Sequence, residues 1–418
     1  MIGINNKKER KKKMKKNLKR VMAGALMFSV VMSTGCSAQS TQQTTAAQTA
    51  AQSTAAETEQ ETAETTAETT AAPDAETAAG STETINYGAM TDMTIKPEPI
   101  ELTDEWDKVF ELSDEVNHRK VTFVNHFGNT LAADLYEPKE YTGKLPAIAV
   151  CGPFGAVKEM SSGLYAQEMA KRGFLAIAFD PSFTGESAGT PRYFNSPDIN
   201  VEDYQAAVDF LSIQENVDPE QIGIIGICGW GGMALQTAAL DTRIKATAAM
   251  TMYDMSRNTA LGYDDSIDAE GRYEARAAYN KQRTEDYKNG EYSLGGGLPE
   301  EAPEDATQYV KDYVAYYKTD RGYHPRSVNG NNGWAATASG SLMNMRLFEY
   351  APEIRSAVLL VHGEEAHSLM YSQEAYKLLQ GDNKELMTIP GANHTDLYDQ
   401  MDIIPFDKLE NFFMEAFQ

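Results

Sequence analysis

The chain has 418 residues, of which 42% are hydrophobic and 23% charged, and this composition excludes a wholly disordered polymer because it can supply a large apolar core. Its 61 acidic residues outnumber its 37 basic ones, giving a formal net charge of −24 at pH 7. Such a charge argues against nucleic acid as a partner, since a phosphate backbone would be repelled and no basic patch with interleaved aromatics is present.

The N-terminus has the pattern of an export signal. Ten basic residues lie within the first 20 positions, and an apolar run over 21–32 follows them. Small residues at 33–35 then lead into Cys36, and this stretch resembles the cleavage box of bacterial lipoproteins, with serine at position 33 where those proteins usually carry an aliphatic residue. We predict a signal peptide over 1–36, lipidation at Cys36 and an extracytoplasmic protein anchored to the bacterial membrane. An uncleaved anchor and ordinary secretion are the alternatives.

A polar spacer follows the predicted signal. Residues 37–84 are almost entirely Thr, Ala, Gln, Glu and Ser, without aromatic or branched aliphatic side chains. So little apolar surface cannot offset the entropy of ordering, so we predict a disordered linker over 37–88. A single domain is expected over 89–418.

Strand and helix patterns alternate through that domain. A hairpin is predicted from 119–124 and 130–136 around a Gly-Asn turn. Further strands are predicted over 147–150, 174–179, 222–227, 246–252, 356–361 and 386–389. Helices are predicted over 160–172, 201–213, 231–240, 372–379 and 406–417. This alternation indicates an α/β protein with a mainly parallel sheet between helices and a site at the carboxyl ends of the strands.

One interval interrupts the alternation. Residues 255–345 contain many tyrosines and no strong strand pattern. A structureless loop of that length is improbable, so we predict a largely helical cap inserted over the active site. The alternative is a surface excursion that does not contact substrate.

The clearest chemical motif is a strand that runs into a cysteine and then into a glycine-rich turn. Residues 222–232 read IGIIGICGWGG, which places Cys228 where a nucleophile elbow carries its nucleophile. Small neighbours suit the tight turn, and the positive end of the following helix favours a thiolate.

This elbow, the strand order and the segment GANHTDLYD at 391–399 resemble the dienelactone-hydrolase-like branch of the α/β-hydrolases over residues 119–418. The resemblance implies an α/β-hydrolase fold with Cys228 as nucleophile and His394 as base. It also implies a small residue two places after the nucleophile, where this chain has Trp230. That side chain is expected either to crowd the turn or to line the acyl pocket.

The acid of the expected triad is open. The family's aspartate position corresponds to Ala366 in this chain, so another residue must supply the acid. We predict Glu364, with Asp254 as the main alternative. Glu365 as the acid, or a purely structural role for these carboxylates, is a further alternative. For the oxyanion hole, the N–H groups of Gly229 and Phe154 are the predicted donors.

Cys151 ends a strand expected beside the one that leads to Cys228, so two free thiols or a disulfide are both open. No cofactor is predicted. No metal is predicted either, because His362 and His367 lack the helical zinc spacing.

The predicted activity is hydrolysis of an ester, thioester or lactone in a small acyl substrate through a covalent acyl-enzyme. Acyl transfer to another acceptor and a non-catalytic, substrate-binding lipoprotein are the alternatives.

Overall fold

The structure is a computed structural model that describes residues 94–418. The predicted signal peptide with Cys36, the predicted linker over 37–88 and residues 89–93 of the predicted domain lie outside the described residues. Within the part of the chain that is described, no helix combines the length and the apolar character needed to cross a membrane.

Eight strands in residues 94–418 form one sheet in the order β1-β2-β4-β3-β5-β6-β7-β8. Their bounds are β1 Val116–Val124, β2 Thr130–Pro138, β3 Leu145–Cys151, β4 Leu175–Phe179, β5 Val217–Ile227, β6 Ile244–Met250, β7 Ala357–Gly363 and β8 Lys384–Ile389. β1 and β2 form the predicted antiparallel hairpin, β2 pairs antiparallel with β4, and all other neighbours are parallel. The predicted α/β-hydrolase fold is confirmed.

Helices connect and flank the strands. Their bounds are α1 Ser161–Lys171, α2 Pro197–Ser212, α3 Gly229–Leu240, α4 Met255–Leu261, α5 Ala269–Asn289, α6 Gln308–Tyr317, α7 Leu369–Leu378, α8 Asp396–Asp399 and α9 Phe406–Ala416. In α9 the residues Phe406, Leu409 and Phe413 recur at helical spacing and are buried. Each such side chain contributes about 1.5–3 kcal/mol by leaving water, which anchors the C-terminus on the sheet.

The centre of the sheet explains why its strands stand out in the sequence. Every residue of β4 and the last six of β5 are buried. Strands covered by helices on both faces read as continuous apolar runs rather than alternating ones. Because β3, β5, β6 and β7 are parallel, the loops after them meet at one edge, and these loops carry the residues described below.

The predicted cap over 255–345 is helical only in part. The helices α4, α5 and α6 occupy less than half of it, and the rest consists of turns, two 3₁₀ helices of three residues each and two isolated bridges. Of α5 only Asp286 is buried, whereas α6 buries Tyr313, Tyr316 and Tyr317. The expectation of a largely helical segment is therefore too simple, because glycine- and asparagine-rich turns near 295 and 331 fold against each other without forming helix.

Candidate active site

Cys228 sits at the turn between β5 and α3, in a backbone conformation with φ 58° and ψ −127°. Positive φ is costly for a residue with a side chain and persists only where surrounding contacts enforce it. Here the Cys228 N–H donates to the carbonyl of Met250 at 2.9 Å, and its carbonyl accepts from Gly231 and Tyr253 at 2.9 and 3.0 Å. The turn thus has the strained strand-to-helix geometry of a nucleophile elbow.

Two glycines are required by the closeness of this packing. A Cβ on Gly226 would lie 2.2 Å from the carbonyl oxygen of Trp230, and a Cβ on Gly229 would lie 2.8 Å from the Cβ of Phe154. Neither contact is tolerable. The glycines therefore let α3 approach β5 and let the loop after β3 reach the nucleophile.

The thiol of Cys228 is surrounded by hydrogen-bonding groups. The hydroxyls of Tyr398 and Tyr313 and the backbone N–H groups of Phe154 and Gly229 lie near it. Burial has the largest effect and raises the pKa of Cys228 above its ordinary value, although these neighbouring donors lower it. The thiol is therefore protonated at neutral pH, and the two predicted oxyanion donors lie near its sulfur.

His394 lies in the loop after β8, and only 1% of it is exposed. Its Nε2 is 3.0 Å from the hydroxyl of Tyr398, which also lies near the Cys228 thiol and lowers its pKa. Burial, and then the neighbouring rings of His367 and His362, hold the pKa of His394 well below its ordinary value. Cys228 and His394, the predicted nucleophile and base, are thus both neutral, with Tyr398 beside them, rather than a thiolate–imidazolium ion pair.

The structure does not bring the predicted acids to His394. Glu364 and Glu365 are exposed, and their backbone N–H groups bond to the loop that carries His394. Asp254 caps α4, accepting from the Arg257 N–H at 2.9 Å and the Ser256 hydroxyl at 2.5 Å. Among the described residues, no carboxylate hydrogen-bonds to the His394 ring. The three predicted carboxylates are thus bound or solvated elsewhere.

Hydroxyls occupy the place of the acid. Nδ1 of His394 lies 2.5 Å from Ser368 Oγ and 2.9 Å from Thr251 Oγ1. Ser368 in turn lies 2.8 Å from Nε2 of His362. Sequence reasoning missed all of these except His362, which it considered only as a metal ligand. Tyr398 could have been predicted from the sequence, because it follows His394 by four residues and residues at that spacing lie on the same side of a helical turn.

Trp230 and Cys151 belong to the core rather than to the pocket. The Trp230 ring meets Phe179 and Tyr204 edge to face, with centroids 6.1 and 5.5 Å apart. Trp230 thus neither crowds the turn nor lines an acyl pocket. Both described cysteines are free, and the Cys151 thiol donates to the Phe179 carbonyl at 3.5 Å, so no disulfide forms between Cys151 and Cys228.

The loop that supplies Phe154 is braced from the cap. The Asn329 side chain donates to the Phe154 carbonyl at 2.7 Å, and the Ser327 hydroxyl donates to the Gly155 carbonyl at 2.9 Å. The ring of Trp334 stacks on Phe154 with a centroid distance of 4.5 Å. These contacts fix the position of one predicted oxyanion donor from a part of the chain more than 170 residues away.

Aromatic rings enclose the base. The centroids of Tyr253, Tyr313 and His367 lie 5.2, 5.4 and 5.2 Å from that of His394. Arg321, just after α6, binds Asp399 through two bonds of 2.8 and 2.6 Å and donates to the Thr395 carbonyl. The cap and the histidine loop are thereby tied together, and water has little access to the thiol.

The strained elbow, two N–H donors and a buried histidine at the carboxyl edge of a mainly parallel sheet define an α/β-hydrolase. A family model described as X-Pro dipeptidyl-peptidase (S15 family) matches residues 128–394, and the chain belongs to this family. Its enzymatic class is therefore hydrolytic or acyl-transfer chemistry. The narrower likeness to the dienelactone-hydrolase branch stays a prediction.

Three proteins similar to this chain give further comparisons. The protein PA2218 of Pseudomonas aeruginosa is 51% identical over 342 residues, which cover 81% of this chain and 90% of that protein. Its crystal structure matches with a TM-score of 0.75, covering 76% of this chain and 99% of that one. The α/β-hydrolase GrgF from Penicillium, 18% identical, matches with a TM-score of 0.58 over 72% of this chain and 98% of that one, which supports the fold. The thiohydrolase aneE of Aspergillus aculeatus is 36% identical over 133 residues, or 32% of this chain and 41% of that protein.

Proposed function

We propose that the protein cleaves activated acyl compounds, thioesters first and reactive esters or lactones next, through an acyl-enzyme on Cys228. One observation carries the proposal: the Tyr398 hydroxyl and the N–H groups of Phe154 and Gly229 lie close enough to the Cys228 sulfur to lower its pKa, and the same hydroxyl lies 3.0 Å from Nε2 of His394. A nucleophile, an oxyanion hole and a route for the proton thus meet at one atom.

The steps follow from these contacts. The Cys228 proton passes through the Tyr398 hydroxyl to Nε2 of His394 while the sulfur attacks the acyl carbon. The carbonyl oxygen becomes an oxyanion that accepts from Phe154 and Gly229. Collapse breaks the bond to the leaving thiolate or alkoxide, which takes the proton from His394 by the same route. Water, deprotonated by His394, then attacks the thioester and releases the acid and the Cys228 thiol.

The missing carboxylate favours an activated substrate. Without a negative charge at Nδ1, the His394 imidazolium is unsupported in a site that already lowers the pKa of this residue. A base of this kind is weak, and its protonated form is poorly stabilised in the transition state. A thiolate leaves with little help from a proton, whereas the amine of a peptide requires one, so thioesters are favoured over peptides. The name of the relative aneE, a thiohydrolase, agrees with this choice.

Acyl transfer is the second candidate, and the enclosure of the site favours it. Cys228 is 4% exposed, and Tyr317 and Tyr398 beside it are fully buried. An acyl-enzyme that excludes water survives until another nucleophile arrives. The two activities share every step up to the acyl-enzyme and differ only in its acceptor.

The location of the protein is part of the proposal. The basic and apolar N-terminal pattern before Cys36 supports export and a lipid anchor on the outer side of a bacterial membrane. The substrate would then be a small acyl compound that meets the protein outside the cytoplasm. Globomycin treatment of expressing cells, which blocks lipoprotein signal removal, should leave a larger precursor; an unchanged mass would overturn the anchor.

The test of the chemistry uses the full chain in mild detergent. N-acetylcysteamine thioesters of two to eight carbons, p-nitrophenyl esters, γ-lactones and Gly-Pro-p-nitroanilide are compared for the wild type, Cys228→Ala and His394→Ala. We expect turnover of thioesters above all, an acyl adduct on Cys228 by intact mass spectrometry, and loss of both in Cys228→Ala. Added amines or alcohols that divert the acyl group would select transfer over hydrolysis.

Three results would overturn the proposal. Turnover that survives in Cys228→Ala would place the chemistry elsewhere. Cleavage confined to Gly-Pro-p-nitroanilide would point to a peptidase. Saturable binding of thioesters without an adduct would favour the non-catalytic binding protein.

A further inference from the structure

Nδ1 of His394 faces two oxygens at once, those of Ser368 at 2.5 Å and Thr251 at 2.9 Å. An imidazole nitrogen without a proton has one lone pair in the ring plane and accepts one hydrogen bond. An N–H can instead be shared between two acceptors. The two oxygens therefore favour the tautomer with its proton on Nδ1, which leaves the lone pair on Nε2, the atom that faces Tyr398.

Each of the two hydroxyls has another acceptor for its own proton. Thr251 Oγ1 donates to the backbone carbonyl of His394 at 3.2 Å. Ser368 Oγ lies 2.8 Å from Nε2 of His362, whose Nδ1 lies 2.7 Å from the Ser372 hydroxyl. With His362 neutral and protonated on Nδ1, its N–H donates to Ser372 and its Nε2 accepts from Ser368, which leaves the Ser368 and Thr251 oxygens free to accept from Nδ1–H of His394. Burial, and then His367, lower the pKa of His362 to about 3, so this ring is neutral.

Thr251 is held for this contact by a strained backbone. It follows β6 with φ 44°, a rare value for a β-branched residue, and its N–H donates to the Val361 carbonyl at 2.7 Å. Backbone strain of this kind collects at functional sites, where the surrounding structure enforces it.

We propose that Ser368 and His362 together take the place of the acid in a catalytic triad, a place that no described carboxylate occupies in this chain. They are positioning residues, and the inference rests on the proposed role of His394 as base. Nε2 of His362 accepts a hydrogen bond from the Ser368 hydroxyl, so the serine oxygen can only accept from Nδ1–H of His394. The Nε2 lone pair of His394 is thereby kept free to take the proton of Cys228.

This arrangement makes an unusual prediction about two substitutions. In His362→Leu the Ser368 proton loses its acceptor and turns to Nδ1 of His394, which drives the proton of that ring to Nε2, the unproductive tautomer. In Ser368→Ala no proton competes, and Thr251 alone still accepts from Nδ1–H. Substituting His362, which does not bond to His394, should therefore reduce activity more than substituting Ser368, which does. Removing Ser368 should also restore part of the activity that His362→Leu loses.

The kinetic test compares kcat/KM for a thioester in four chains. We expect a loss of about 100-fold or more in His362→Leu, as for a missing general base. Ser368→Ala should lose about tenfold or less, the value of one neutral hydrogen bond. The double variant should return to the level of Ser368→Ala. His362→Gln, which keeps an oxygen acceptor, should stay near wild type. Losses that add in the double variant would overturn the proposal.

A second measurement reads the tautomer without any activity. The chain has six histidines, and selective ¹⁵N labelling with the His394→Ala variant assigns the resonances of His394. We expect a protonated Nδ1 and a bare Nε2 in the wild type and in Ser368→Ala, and the reverse in His362→Leu. A bare Nδ1 in the wild type would refute the inference even if thioesters are turned over. The expected pattern without turnover would instead refute only the proposed function.

Discussion

Lys158 should be one of the most sensitive positions for stability, because three carboxylates depend on its charge. Its side chain is fully buried, and its ammonium bonds to Asp180 at 3.1 Å, to Glu186 at 2.5 Å and to Glu159. The backbone N–H of Lys158 also donates to Asp180 at 2.8 Å. Lys158 follows Phe154 by four residues, so this network anchors the loop that carries the predicted oxyanion donor.

The substitution Lys158→Met keeps most of the volume and removes the charge. The three carboxylates, whose oxygens lie within 4.8 Å of one another, then face each other with two cations remaining in contact, Lys120 at 2.7 Å from Glu186 and Arg326 at 2.8 Å from Glu159. Removing one partner of a buried ion pair costs about 3–5 kcal/mol, because the other charge stays buried without compensation. We expect the free energy of unfolding to fall by that amount at pH 7.5.

The loss should depend on pH with a definite sign. In the wild type burial opposes ionisation, but Lys158 offsets it and lowers the pKa of both Glu159 and Glu186 to about 2. Their contribution to stability is therefore complete above the unfolded values near 4 and is lost only as the pH falls toward 2. In the variant, repulsion and burial raise the carboxyl pKa values above the unfolded ones. Protonation of these carboxylates then removes their repulsion in the variant. The loss in the free energy of unfolding relative to the wild type should therefore be smaller at pH 5.5 than at pH 7.5.

Urea unfolding at these two pH values measures both effects. Lys245→Met is the matched control, since Lys245 pairs at 3.0 Å with the exposed Glu220 and should change stability by less than about 0.5 kcal/mol. A deficit for Lys158→Met below about 1 kcal/mol, or one that is equal at pH 7.5 and 5.5, would refute the assignment of the buried charge network as a stabilising anchor.

Three further outcomes are expected. Glu364→Gln and Asp254→Asn should keep kcat/KM for a thioester within about twofold, because neither side chain bonds to His394; a loss above tenfold in a folded variant would restore the predicted acid. The pH profile of kcat/KM should be flat from about 6.5 to 8.5, since burial lowers the pKa of His394 and raises that of Cys228, and a break near 7 would contradict this. Trp230→Ala should lower the free energy of unfolding by about 3–5 kcal/mol in urea, whereas less than 1 kcal/mol would mean that the ring is not core.

Local patterns were sufficient for the framework of the protein. Fewer than a dozen neighbouring residues are enough to predict each apolar strand, the glycine-rich turn around Cys228 and the helix after it. Such short windows suffice because backbone hydrogen bonding and burial repeat at short periods. For the same reason the sequence placed Cys228 and His394 after strands that end at one edge of the sheet. The helical content of the cap was overestimated, since turns that fold on each other have no such period.

The partners of those residues were decided only by the tertiary structure. Ser368 and Thr251 reach the His394 ring from 26 and 143 residues away, and Lys158 gathers carboxylates from the loop after β4. Such contacts carry no periodic pattern, and the prediction of Glu364 followed a motif whose side chain here turns to solvent. Side-chain polar groups bond to whatever the closed fold brings within about 3 Å, and only the fold determines which groups those are.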